Sequence, residues 1–296
     1  MDFAMDVEEV FRSNERAACF EARLVLESLG IKSISELHDG MWRLTVAQPL
    51  APRALAELDS YAQERLEESR AKPAPIKLYG GATAGVIVYV VCITAVAWLS
   101  RGVDAAQAWR SIGRMQAGLI VDGQWWRTIT ALTLHVDFAH LMGNIAFGTL
   151  FGFLAGRSLG GGAGWLAIVI GGGLGNFANA CLRDEYYSAI GASTAVFAAL
   201  GILVTRAIFP RRSDTSSLFQ RMQPLIGGIL LFAFTGIGDE QTDVGAHFCG
   251  MVAGMLLGGL ATVLPEKWFA SPSIQACCGV AALAIVVAAW GAAIWS

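Results

Sequence analysis

The chain predicts an all-α polytopic membrane bundle preceded by a small polar domain, and three observations lead there. Hydrophobic residues make up 55% of the 296 and charged residues only 15%, with a mean hydropathy of +0.53, well above that of a water-soluble domain. Apolar runs long enough to cross, or nearly cross, a hydrocarbon layer of roughly 30 Å recur after Lys77. Before Lys77 the chain is rich in Glu and alternates between helical and strand periodicity.

Residues 1–77 form the leading domain, closed by the linker KPAPIK at 72–77. NERAACFEARLVLESLG has helical spacing that stops at Gly30. IKSISEL and MWRLTVA alternate like strands around His38-Asp39-Gly40, a hairpin signal. A second helix from 50 to about 70 completes an αββα module without a chemical motif. The opening MDFAMDVEEVF has neither the apolar core of a signal peptide nor the Arg and Ser bias of a transit peptide, so the module is expected in the cytosol.

Seven apolar runs follow, near 80–99, 139–156, 163–181, 189–208, 223–237, 244–264 and 277–295. The first six form a core within 78–265, and 266–296 supplies a connecting loop and one more helix. Lys72, Lys77, Arg157, Arg206, Arg211, Arg212, Arg221 and Lys267 fall on one side. Asp104, Asp122, Asp184, Glu185, Asp239, Glu240 and Asp243 fall on the other, diluted by Arg101, Arg110, Arg114, Arg127 and Arg183. Cytoplasmic loops carry the excess of Lys and Arg, which predicts a cytosolic N-terminus and an external C-terminus. A multi-pass protein of a bacterial cytoplasmic (inner) membrane fits best.

A net charge of -3 gives no sign of a nucleic-acid partner. Cys19, Cys92, Cys181, Cys249, Cys277 and Cys278 have neither metal-ligand spacing nor the pattern of a disulfide framework. No metal or cofactor is called for.

Four polar residues stand out in the apolar runs. If the fourth run starts at 189, Ser193 lies about four residues inside it and His247 about three inside the sixth, so at ~1.5 Å per residue both sit roughly 5–6 Å below one surface. His140 and Asn144 begin the second run at similar depth and, four apart, share a face. Each has a packing reading when taken alone: a serine returning its hydroxyl to its own helix, a histidine or asparagine bonding a neighbouring one. Gly250, Gly254 and Gly258 read as a close-packing stripe. Together the four favour chemistry, because a serine becomes nucleophilic beside a neutral imidazole. The developing oxyanion then needs donors such as the Asn144 amide, the His140 ring and the Ser193 N–H, while Gly191 and Ala192 leave room for a substrate backbone.

GQWWRTIT, LHVDFAHLMGN, GAST and GAHFCGMVAG, in that order, resemble the rhomboid intramembrane serine proteases over about 120–260. The resemblance implies a Ser193–His247 dyad with His140 and Asn144 lining an oxyanion hole. It places Gly191 and Phe197 on the substrate side, Phe197 also supporting the catalytic ring, and gives His135 a structural role. Trp126 and Arg127 would lie in a first loop inserted sideways into the bilayer. The core with one further helix is similar to the six-plus-one members. Where the family usually has Gly-Xaa-Ser-Gly this chain has Thr194 last, whose branched side chain narrows the site or tunes it.

The implied substrates are transmembrane proteins in the lipid bilayer, cut in or near their spans. A rhomboid-like binder without activity, or a transporter or haem protein, is the alternative. Gly236-Ile237-Gly238-Asp239 matches half of an aspartyl protease signature but lacks its partner carboxylate. The run GGGLGN beginning at Gly171 sits inside a spanning segment and reads as helix packing.

Overall fold

The computed structural model describes residues 6–71, 78–209, 226–227 and 243–296. The linker at 72–77, the expected fifth run apart from 226–227, the charges at Arg211, Arg212, Arg221 and Glu240, and the Gly236 to Asp239 motif lie outside them. Contacts divide the chain into Met1–Pro73 and Ala74–Ser296.

The first unit runs β1 (Val7–Ser13), α1 (Arg16–Ser28), β2 (Ser33–His38), β3 (Met41–Ala47) and α2 (Ala51–Ala71). A strand therefore precedes the helix with which the sequence reading began. It pairs antiparallel with β3 in the sheet order β1-β3-β2. A register shift between Glu9 and Phe11 interrupts its alternation, which hid it in the sequence. Asp39 and Gly40 both take positive φ, 51° and 77°, as a tight hairpin turn requires. Cys19, Ala22 and Leu26 on one stripe of α1 pack on Leu44 and Val46 of the central strand.

Among the described residues of the second unit five helices are long and apolar enough to cross a membrane. They are α3 (Ala82–Leu99), α7 (Phe138–Leu159), α8 (Gly161–Cys181), α10 (Val244–Val263) and α12 (Pro272–Trp295). A shorter apolar helix, α9 (Ser193–Ile208), is almost wholly buried among them. Between α3 and α7 lie α4 (Val103–Gly113), β4 (Met115–Gln116), α5 (Ala117–Val121), α6 (Arg127–Thr130) and a 3-10 turn, Ala131–Thr133. The last helix follows the short α11 (Glu266–Ala270). The chain is thus a mostly helical, multi-pass membrane protein.

Small residues let three helices meet almost backbone to backbone. A Cβ on Gly254 of α10 would lie 2.0 Å from the Ala198 carbonyl oxygen of α9, and one on Gly201 of α9 would lie 2.1 Å from that of Met251. On α8, Gly172 faces Ala195, and Gly175 faces Gly250 and the Thr194 methyl. The glycines expected to serve packing, those of GGGLGN included, do so. With no side chain to spread them, α8, α9 and α10 fix one another's positions.

The C-terminal helix is held on this core at both ends. Near its start Gln275 donates to the Leu159 and Phe269 carbonyls and accepts from the Ala163 N–H. Near its end the Trp290 indole packs on Trp109, with ring centroids 4.6 Å apart.

Candidate active site

Ser193 opens α9 rather than lying a turn inside it. Residues 188–189 form a two-residue strand, β5 (Ser188–Ala189), paired antiparallel with β4. Gly191 then turns the chain at φ +143°, its N–H donating to the Ala131 carbonyl at 2.9 Å. A helix cannot pass through that conformation, so α9 starts two residues later. Among the described residues no side chain caps its N-terminus, and Val196 is the first residue of the turn to donate back, to the Ala192 carbonyl. The N–H groups of Ser193, Thr194 and Ala195 thus lack helical acceptors at the positive end of the helix.

Gly191 also makes room. A Cβ at this position would lie 2.7 Å from His140 Cε1, 2.8 Å from its Nε2 and 3.6 Å from Ser193 Oγ. The His140 ring and the serine hydroxyl therefore approach the same bare backbone from two helices. Asn144, one turn along α7 and only 6% exposed, donates one amide hydrogen to the His140 carbonyl at 3.0 Å. Its second amide hydrogen remains for another acceptor.

His247 enters from α10. Its ring stacks on Phe197 with centroids 4.4 Å apart and planes 19° from parallel. Phe197 lies four residues after Ser193, on the same face of α9, so the helix that carries the serine also supports the imidazole. Phe197 is 2% exposed, which favours the supporting role over direct contact with substrate. Among the described residues no hydrogen bond joins Ser193 Oγ to the His247 ring, and Nδ1 of that ring is buried without a partner. Such pairs commonly close only when substrate binds. Ser193, His247, His140, Asn144, Gly191 and Phe197 all line one cavity of ≈ 770 Å³.

Thr194 turns its methyl into the helix seam, where a Cβ on Gly175 or Gly250 would meet it at 2.8 or 2.9 Å. Its bulk is thus absorbed largely between helices. His135 sits edge-on to His140 at 5.3 Å, and its carbonyl accepts from Arg110. Arg127 is buried and donates to Gln124 and to the Ser111 and Arg114 carbonyls, tying α4 to α6.

The sequence reading counted Asp243 only as a loop charge, yet it organises the helix that bears His247. Its carboxylate caps α10 by accepting from the Ala246 N–H at 2.9 Å, from Asn179 at 2.7 Å and from Arg183 at 3.1 Å. The Arg183 guanidinium lies over the Tyr187 ring at 4.5 Å. Burial pushes the Tyr187 hydroxyl above its ordinary range, and the Asp243 carboxylate adds to the shift. The available signal was an aspartate three residues before Ala246 at the head of an apolar run, an N-cap position. Asp243→Ala should lower stability by about 1–2 kcal/mol, the usual cost of a lost cap. Asp243→Asn, which keeps a cap acceptor, should lose less. Melting temperatures in one detergent compare the two, and equal losses would assign the effect to the charge alone.

Residues 122–263 match the family model of the rhomboid domain. The Bacillus subtilis protein named "Putative rhomboid protease YdcA" is 27% identical over 185 residues, spanning 62% of this chain and 91% of that one. RHOMBOID-like protein 5 of Arabidopsis thaliana is 28% identical over 170 residues, 55% of this chain and 52% of that protein. Rhomboid protease GluP of Bacillus subtilis is 30% identical over 148 residues, 49% of this chain and 27% of that protein.

Proposed function

We propose that this chain, a member of the rhomboid family, is an intramembrane serine endopeptidase that cuts transmembrane proteins in or near their spans. The observation that carries this reading is the meeting of Ser193, His247, His140 and Asn144, from three helices, at one cavity beside Gly191.

His247 takes the Ser193 Oγ proton as the oxygen attacks the scissile carbonyl carbon. The carbonyl electrons move to oxygen, which the Ser193 N–H, the second Asn144 amide hydrogen and the His140 ring stabilise. As the tetrahedral intermediate collapses, the C–N bond breaks and His247 returns the proton to the leaving amine. Water, deprotonated by the same ring, then hydrolyses the acyl-enzyme ester and restores Ser193. Phe197 keeps the imidazole oriented in both protonation states. A substrate helix hides its carbonyls in internal hydrogen bonds, so it must unwind locally to reach Ser193, and helix-breaking residues near the cut are expected. By the loop charges, the cavity opens on the non-cytosolic side.

A fluorophosphonate probe, which reacts with activated serines, tests this reading on purified protein in detergent. Labelling should map to Ser193 by mass spectrometry and disappear in His247→Ala. Labelling elsewhere, or undiminished labelling without His247, would overturn the assignment.

A further inference from the structure

The proposed mechanism leaves the C-terminal helix without a task, yet one of its side chains reaches the backbone that sets up Ser193. The Trp290 indole N–H donates to Thr133 Oγ1 at 3.1 Å, a bond buried on both sides. The Thr133 hydroxyl in turn donates to the Thr130 carbonyl at 2.8 Å, closing the 3-10 turn. Thr130 ties that turn to the end of α4, donating to the Gly113 carbonyl at 2.7 Å. Inside the turn, the Ala131 carbonyl receives the Gly191 N–H. The indole also lies where a Cβ on Gly113 would be, 2.6 Å from its nearest ring carbon. Leu134 and Ile190, which flank the turn and Gly191, pack in the same cluster as Trp290.

We propose that Trp290 is a positioning residue. By fixing Thr133 it fixes the turn whose carbonyl holds Gly191 in its left-handed conformation, and so sets Ser193 and its N–H against His140. Gly191 has no side chain of its own to restrain it, so its conformation depends on that external bond. The C-terminal helix is thus part of the apparatus that shapes the site and not only an additional membrane anchor. The role assigned to Trp290 in turnover rests on the protease reading above.

The test uses the full chain in detergent with Trp290→Phe, which keeps a smaller aromatic ring and loses the indole N–H, Thr133→Val, which keeps the branched shape and loses the hydroxyl, and the double variant. Two quantities are read: amide hydrogen exchange across 189–193, and kcat and KM on a single-span substrate. The expected result is faster exchange in that segment and a fall in kcat on the order of tenfold, the scale of a small misplacement. KM should stay unchanged. The losses in the double variant should be less than the product of the single ones, because both single variants remove the Trp290–Thr133 bond, Thr133→Val also losing the donation to the Thr130 carbonyl. Unchanged exchange, a wild-type kcat in Trp290→Phe, or losses that multiply in the double variant would overturn the proposal. A wild type that cuts nothing while its exchange still responds to Trp290→Phe would overturn the protease reading and support the brace.

Discussion

Ser193→Ala is expected to abolish cleavage while leaving the fold intact. In the proposed mechanism, removing Oγ takes away the nucleophile and with it the acyl-enzyme route, and losses from such a change run to roughly a thousandfold or more. The fold has little at stake. Ser193 is partly open to the cavity, and its side chain neither caps α9 nor makes a hydrogen bond among the described residues. Alanine is also at home at a helix start, so stability should change by less than about 0.5 kcal/mol. Quantitative cleavage of a single-span substrate, with melting temperature measured in parallel, separates the two effects. Residual cutting above one part in a hundred of wild type, in a preparation free of other proteases, would remove Ser193 from the role of nucleophile.

Gly254→Val is expected to damage stability and activity together. A Cβ at Gly254 would lie 2.0 Å from the Ala198 carbonyl oxygen and 2.7 Å from two other backbone atoms of that residue. Backbone cannot turn aside as a flexible side chain can, so α9 and α10 must separate, at a cost of about 3 kcal/mol or more. Ser193 and His247 sit on those two helices, and any separation moves one from the other, which the proposed mechanism does not tolerate. Loss of activity and a large fall in melting temperature should appear together. Gly259→Ala is the control on the same helix. Among the described residues its added Cβ meets only the Thr205 methyl, at 3.9 Å, and the substitution should leave both quantities close to wild type. If Gly254→Val cleaves normally, the small-residue seam does not hold the pair in register.

Much of this arrangement was readable before any coordinates, for reasons that can be stated residue by residue. His140 and Asn144 are four apart, and that interval alone places them on one helical face. Gly250, Gly254 and Gly258 repeat at the same interval, and their seam lies where the repeat indicates. What escaped the reading depends on contacts between residues far apart in sequence. The start of α9 follows from β5 pairing with β4, more than seventy residues earlier, and from the Ala131 carbonyl that holds Gly191. The helical runs alone therefore placed Ser193 a turn too deep. The Asp243 network joins three elements, and only its capping position had a local signature. Trp290 stands in a helix apolar on all sides, where no periodicity distinguishes the one indole that finds a hydroxyl. Strand β1 was hidden by its own bulge.

The glycine seam has a consequence for how the protein meets a changing membrane. Side chains between helices have rotamers, and a bilayer that thins, thickens or warms can redistribute them and let an interface creep by fractions of an ångström. Where main chain rests on main chain there are no rotamers to redistribute. The spacing of α9 and α10 behaves as a fixed ruler, either seated or lost. Lipid composition can then change what surrounds the bundle, while the backbone spacing of the helices that carry Ser193 and His247 stays the same in every bilayer that leaves them folded.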